Sequence, residues 1–345
     1  MDIGPYVTPD LGGIGGIIKQ QPADFEVEEI PLYQPCGEGE HLYLLVEKEG
    51  ISTHELVAHA AQIFSISPRR IGFAGLKDKW ARARQTISIP GISDVDALRL
   101  NGARARVLSV ARHHNKLRIG HLAGNLFRLL IRNVQPDAAD RAQAVLDALA
   151  QCGLPNYFGE QRFGHGGDFG RARQWVTHPP RRPLRRELRL EREAYQSYLF
   201  NRYLARRIDE GWFPTLLEGD IAMKHSTGGL FVIENVENER PRAAAFEISA
   251  TGPLFGYRMM MPLGQAGALE AAVLQQEGIS MDMTQSLPLK RACWYGSRRF
   301  LRARVSHTGV EMTTHGLTIS FELPKGAYAT VLLREIMKTG VSSSH

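Results

Sequence analysis

The sequence predicts an α+β protein. Three observations carry that expectation. Short segments near both ends alternate apolar and polar residues, the period of a half-buried strand. Longer segments repeat apolar residues at helical spacing. The texture changes near Pro155, where glycines and aromatics cluster, and strand and helix patterns return from Phe300 onward. With 345 residues, 43% of them hydrophobic and 23% charged, the chain can bury a substantial core and more than one domain.

The elements follow in order. DFEVEEI (Asp24 to Ile30) puts Phe25 and Val27 on one face of a strand, and HLYLLV (His41 to Val46) is a second strand. THELVAHAAQIF (Thr53 to Phe64) carries Leu56, Val57, Ala60, Ile63 and Phe64 on one helical stripe, with Thr53 as an early turn or cap residue. Pro68 ends that helix or opens the next element. IGFA (Ile71 to Ala74) and QTISI (Gln85 to Ile89) are short strands, so GLKDKWARAR between them connects or flanks two strands. Arg104 to Val110 and Asn125 to Val134 read as strands. The second offers Phe127, Leu129 and Ile131 to one face and Leu126, Arg128, Leu130 and Arg132 to the other. DRAQAVLDALA (Asp140 to Ala150) is a helix closed by Gly153 and Pro155.

Pro155 to Gly170 reads as a loop with tight turns. A long helix follows, roughly Leu184 to Glu210, with Leu188, Ala194, Tyr198, Leu199, Tyr203, Leu204 and Ile208 as its buried candidates. Arg181, Arg182, Arg185, Arg186, Arg189 and Arg192 crowd its start, against the helix dipole. Nucleic acid is one reason for such a cluster; a solvated face is the other, since Glu187, Glu191 and Glu193 are interleaved. Residues 211 to 275 mix short strands, turns and helices. Phe300 to Val305, Leu317 to Leu323 and Tyr328 to Met337 then read as strand, strand and helix.

The 42 Lys and Arg exceed the 36 Asp and Glu by 6, which suits an anionic partner without establishing one. Cys36, Cys152 and Cys293 are too far apart for a disulfide scaffold, and no CxxC pair seeds a zinc site. No basic start leads into an apolar run at the N-terminus, and no apolar run reaches membrane length. A reducing, cytoplasmic setting is expected. LGGIGGI near the N-terminus follows no strand and lacks the spacing of a nucleotide loop, so it reads as a flexible or functional loop. GHGG (Gly164 to Gly167) fails the same test. His113 and His114 point to opposite faces of a strand and make no metal site; no metal is expected.

GLKDKWARARQ (Gly75 to Gln85) sets one acid, Asp78, between Lys77 and Lys79, with Arg82 and Arg84 close behind. Its own pattern leaves two readings. Asp78 is either part of a solvated surface turn or a nucleophile or acid–base group facing a polyanion.

Five stretches bear on that choice: KQQPADFEVEE (Lys19 to Glu29), FAGLKDKWARARQ (Phe73 to Gln85), GNLFRL (Gly124 to Leu129), PNYFGEQRFG (Pro155 to Gly164) and LPKGAYATVLLRE (Leu323 to Glu335). In this order they resemble the TruD family of tRNA pseudouridine synthases, across nearly the whole chain. The resemblance implies a two-lobed pseudouridine synthase catalytic domain on a mixed, largely antiparallel sheet, with an inserted α/β domain and substrate in the cleft between them. Residues 1–154 and 300–345 would form the catalytic domain, and 155–299 the insert. It implies Asp78 as the essential catalytic residue, Lys19 and Phe127 in support, and Phe25, Asn125 and Tyr328 at the substrate. The family position of Tyr328 holds a phenylalanine in the familiar bacterial member, so the tyrosine keeps a ring and adds a hydroxyl. Lys77, Lys79, Arg162, Arg181, Arg182 and Arg185 would meet the RNA backbone.

The implied activity is isomerisation of uridine-13 in tRNA to pseudouridine. It needs no redox step and no group donor, so no cofactor is implied. A carboxylate suits it, either adding at C1′ or moving a proton. It should stay ionised, and a nearby cation such as Lys19 lowers its pKa. The uridine must leave its stack to reach a buried acid and can stack on Phe25 and Tyr328, while Phe127 shapes the pocket. tRNA is the expected partner of a monomer, with no obligate protein partner. A non-catalytic RNA-binding protein would not need Asp78, and a metal-dependent nuclease would need clustered carboxylates that this stretch lacks.

Overall fold

A computed structural model of the chain describes residues 3–163, 169–180 and 186–339. Its first strand lies inside LGGIGGI. β1 (Gly15–Ile17) pairs antiparallel with a later strand, Gly15 opposite Val134 and Ile17 opposite Arg132. The glycines serve that approach: at Gly16 (φ +94°) a Cβ would lie 2.6 Å from the Ile131 side chain. The loop expected here is therefore partly an edge strand.

The chain continues through β2 (Phe25–Pro31), β3 (His41–Glu49), α1 (Thr53–Ile63), β4 (Gly72–Phe73), β5 (Arg82–Pro90), α2 (Asp94–Ala97), β6 (Ala105–His113) and β7 (Leu122–Val134). α3 (Ala138–Cys152) leads to β8 (Leu154–Pro155), α4 (Gly170–Thr177) and the long α5 (Arg186–Asp209). Then come β9 (Ile221–Lys224), β10 (Leu230–Val232), α6 (Val236–Ala244), β11 (Ile248–Leu254), α7 (Gly264–Gln276), α8 (Met281–Thr284) and α9 (Leu287–Arg291). β12 (Ser297–Phe300), β13 (Arg302–Ala303), β14 (Ser306–Thr313), β15 (Gly316–Pro324) and α10 (Ala329–Met337) complete it. The expected strands and helices are present; β1, α2, β8, α4, α8, α9, β12 and β14 come in addition.

Two units emerge. One comprises Leu11–Asp147, Val305–Ala329 and the described residues from Ile336. It holds a sheet in the order β14-β15-β7-β2-β5-β3-β6, with β1 on β7 and β4 on β5. Every pairing is antiparallel except β2 with β5. This is the mixed, largely antiparallel sheet expected. β7 is its spine. Phe127, Leu129 and Ile131 are buried as their alternation predicts, each side chain worth about 1.5–3 kcal/mol. Gly124 lets β15 close on β7, because a Cβ there would sit 2.4 Å from the Leu323 carbonyl oxygen. α1 packs Leu56, Val57 and Ala60 with Leu44, Val46 and Ile87 of the sheet. Its cap is Ser52 rather than Thr53: Ser52 Oγ accepts from the Glu55 N–H, and the Glu55 carboxylate accepts from the Ser52 N–H. Thr53 is left to turn inward.

The other unit comprises the described residues up to Asp10, Ala148–Arg304 and Thr330–Glu335. It has an antiparallel sheet β10-β9-β11-β12, the short pair β13-β8, and a core including Tyr195, Leu199, Phe255, Leu274 and Trp294. α5 buries Ala194, Leu199, Tyr203 and Leu204 as expected. Ile208, Leu188 and Tyr198 are only half-buried, and Arg207 goes inside instead. A buried ion pair 2.9 Å long to Asp220 makes that burial tolerable. Arg298 and Glu270 form a second buried pair, at 2.7 Å.

Candidate active site

Three strand registers assemble the site. Glu29 of β2 stands opposite Asn125 of β7, Val27 opposite Phe127, and Phe25 opposite Leu129. On the other side of β7, Phe321 and Leu323 of β15 stand opposite Phe127 and Asn125. On β3, Lys48 stands opposite Ala83 of β5 and Ala105 of β6. Alternation gives these residues one face of the sheet.

Asp78 sits on the connection from β4 to β5, above this face. Its Oδ2 is 2.6 Å from the Lys19 ammonium. Burial alone would push the Asp78 carboxyl up. The hydrogen bond and charge of Lys19, with the backbone N–H groups of Trp80 and Lys79, outweigh it and hold the acid below the usual carboxylate range. The side chain is 40% exposed and that of Lys19 only 9%. The expected buried acid is thus open to solvent, while its counter-ion is the enclosed partner.

Lys19 is fixed from several sides. Its φ is +58°, a conformation costing a non-glycine residue on the order of 1 kcal/mol. Its carbonyl accepts from the Trp80 indole at 3.0 Å, and its ammonium lies 4.4 Å from the centre of the Phe25 ring. That ring meets Phe127 edge-on at 6.1 Å, and Phe127 stacks on Phe321 at 5.3 Å. Both Phe25 and Phe127 are buried. In this structure one ring face that could meet a base carries the Lys19 ammonium instead.

The neighbouring lysine has a different place from the one expected. Lys77 was expected at the RNA backbone, yet its side chain is 4% exposed. Its ammonium donates to Asn125 Oδ1 at 2.5 Å and lies 3.3 Å from Glu29 Oε2. Its N–H donates to Thr53 Oγ1, which donates to Gln85 Oε1. Burial pushes Lys77 down and Glu29 up, and their mutual attraction opposes both shifts. A phosphate cannot reach an ammonium so enclosed.

The remaining charges of GLKDKWARAR are also committed. Lys79 is exposed and pairs with Glu55 at 3.1 Å. Arg82 and Arg84 belong to β5, and each bridges two glutamates, Glu26 with Glu49 and Glu28 with Glu47. The run looks basic in sequence and is largely neutralised in space. Arg162, in the other unit, pairs with Glu193 at 3.1 Å. Arg181, Arg182 and Arg185 lie outside the described residues, as does GHGG. Tyr328 is half-buried on the segment joining β15 to α10. Among the described residues no group of three His, Cys, Asp or Glu is placed to hold a metal ion.

Two residues of the site escape the sequence reading. Lys48 is 1% exposed, and its ammonium donates to the carbonyl oxygens of Ile51 (2.5 Å) and Asp78 (2.6 Å). Glu29 is the buried partner of Lys77. A signal existed for both. Lys48 shares strand phase with Leu44 and Val46, and Glu29 with Phe25 and Val27, so each charge stands on an apolar face.

Comparison with known proteins agrees with the fold. The family model described as tRNA pseudouridine synthase D (TruD) matches residues 1–168 and 186–336. The tRNA pseudouridine synthase D of Syntrophotalea carbinolica is 40% identical, covering 97% of this chain and 99% of that protein. Its counterpart in Thermus thermophilus is 44% identical, covering 97% and 92%. Among solved structures, a protein assigned as tRNA pseudouridine synthase D from Methanosarcina mazei superposes with a TM-score of 0.78 at 26% identity, covering 98% of this chain and 97% of that one. The fold and these matches are those of a pseudouridine synthase. The chain belongs to the tRNA pseudouridine synthase D (TruD) family.

Proposed function

We propose that this chain converts uridine-13 of tRNA to pseudouridine, with Asp78 as the essential carboxylate. The observation that carries this reading is the Asp78–Lys19 pair, an exposed acid held ionised by an enclosed ammonium. The reaction breaks the bond from N1 to C1′ and makes one from C5 to C1′. The C5 proton leaves and N1 gains one, so atoms and electrons balance without a cofactor. Asp78 acts either by adding at C1′ or by taking a proton from C2′ to give a glycal. In both routes it must be a carboxylate, and Lys19 favours that state.

Around it, Asn125 contacts the base, Tyr328 and Phe25 offer rings to it, and Phe127 supports Phe25 from beneath. Lys79 and Arg162 are the described cations proposed for RNA phosphates. Residues 155–299 form the inserted domain of a catalytic domain made of 1–154 and 300–345. The compact grouping of Ala148–Arg304 supports the insert; the described residues to Asp10 and Thr330–Glu335 group with it rather than with the rest of the catalytic domain. The working form is a cytoplasmic monomer; among the described residues, no helix is long and apolar enough to cross a membrane.

The test uses unmodified tRNA transcript tritiated at uridine C5. The wild type should release tritium and Asp78→Asn should not. A transcript with cytidine at position 13 should release none beyond background. Release by Asp78→Asn would overturn the role of Asp78, and release from the cytidine-13 transcript would overturn the position.

A further inference from the structure

An ammonium has hydrogens to give and no lone pair to offer. The Lys77 ammonium faces the Asn125 amide at hydrogen-bond distance, so the amide turns its oxygen toward Lys77. The bond takes one lone pair of Asn125 Oδ1 and fixes the amide's orientation, so the NH₂ end is turned away from Lys77 and is the donor offered to a ligand. Nothing in the amide itself would choose this orientation, since its two ends have nearly the same shape. The choice comes from beneath, through Lys77, whose charge is kept in an apolar setting by Glu29. Glu29 in turn stands directly opposite Asn125 across the β2–β7 ladder, so one strand pairing carries both ends of the relay.

We propose that the buried Glu29–Lys77 pair fixes the polarity of Asn125, making it a hydrogen-bond donor that selects a pyrimidine with a keto oxygen over one with an amino group. The inference rests on the reading of Asn125 as a base contact. Uracil presents O4, an acceptor, where cytosine presents an amino group, a donor. Against a fixed NH₂ group the first is paired, and the second leaves two donors facing each other in a desolvated site, which is costly. Lys77 and Glu29 are positioning residues here. They act through Asn125 and need not touch the RNA.

The experiment measures binding in the full-length Asp78→Asn protein, which prevents turnover. Two transcripts are compared, identical except for uridine or cytidine at the target. With the relay intact, uridine should be preferred by roughly tenfold or more. Glu29→Gln with Lys77→Met removes both buried charges together, so no lone charge is stranded. The amide can then rotate, and the preference should fall toward unity while the salt dependence of binding stays unchanged. Asn125→Asp offers only acceptors and should also abolish the preference, whether or not the double variant folds. An undiminished preference in either variant overturns the inference. Asn125→Ala separates the two levels. If it keeps the preference, Asn125 is no base contact and the underlying reading fails. If it erases the preference while the double variant keeps it, Asn125 reads the base but Glu29 and Lys77 do not orient it.

Discussion

The two faces of the large sheet carry similar side chains and use them differently. On one face Glu26 and Glu28 of β2, Arg82 and Arg84 of β5, Glu47 and Glu49 of β3 and Arg106 of β6 form a lattice of ion pairs. Most of its members are well exposed; Arg84, for instance, keeps 46% of its side chain in solvent. On the other face Glu29 and Lys48 are buried, with Lys77 reaching Glu29 from the connection between β4 and β5, and each charge has few partners. Water screens the first set, so any one pair contributes little. The second set has no water to fall back on, so its geometry is fixed by what it touches. What it touches is Asp78 and Asn125. Charge count is therefore a poor guide to this protein: the enclosed charges are the ones that touch the proposed site.

The largest effect is expected at Asp78. Asp78→Asn should lower tritium release by on the order of 10³-fold or more. Lys19→Met comes next. It should lower turnover by about 10²-fold. It also removes the influence that holds the Asp78 carboxyl down, so the acidic limb of the rate profile should move to higher pH. A profile that stays in place would mean that Lys19 does not set the ionisation of Asp78.

Lys48 sharpens the contrast in a different observable. Burial lowers its pKa from the ordinary 10.5 to about 8, against the pull of the Asp78 charge. Between these values the unfolded chain holds a proton that the folded chain does not. Stability should therefore rise with pH across that window, by at most a few kcal/mol, and the cost of the buried charge is fully present below pH 8. Lys48→Met should flatten that dependence in denaturant titrations. The smallest effect belongs to the exposed face. Arg84→Ala should cost less than about 1 kcal/mol and shrink further in high salt. A larger, salt-insensitive loss would show the lattice acting as more than a set of screened pairs.

The contrast also marks what could be read from the sequence. NLFRLLIRNV gave up its faces because Phe127, Leu129 and Ile131 alternate cleanly with polar or half-buried neighbours. β14 escaped notice because it is an edge strand, and SHTGVEMT has no strong alternation to reveal it. β1 was hidden by the glycines that allow its close approach. In α5 the spacing that nominated Ile208 also permits Arg207, and only the position of Asp220 decides which side chain goes inside. Asp78, Lys19 and Asn125 could be nominated by resemblance. So could the Asp78–Lys19 pairing, but not the contacts of Lys77 with Asn125 and Glu29, which come from the β2–β7 register and the path of the connection between β4 and β5. Lys77 and Lys79 flank the same acid, yet one is buried and the other exposed.

The pairing of β15 with β7 has a consequence for synthesis. Phe127 leaves the ribosome long before Phe321, its cross-strand neighbour, and the whole segment from Ala148 to Arg304 is made in between. Until then the spine of the sheet has an open edge and lacks the ring that stacks on Phe127. Such an edge invites pairing with another chain. A nascent chain stopped before β15 should therefore be prone to aggregate, and the finished site should appear only near the end of translation.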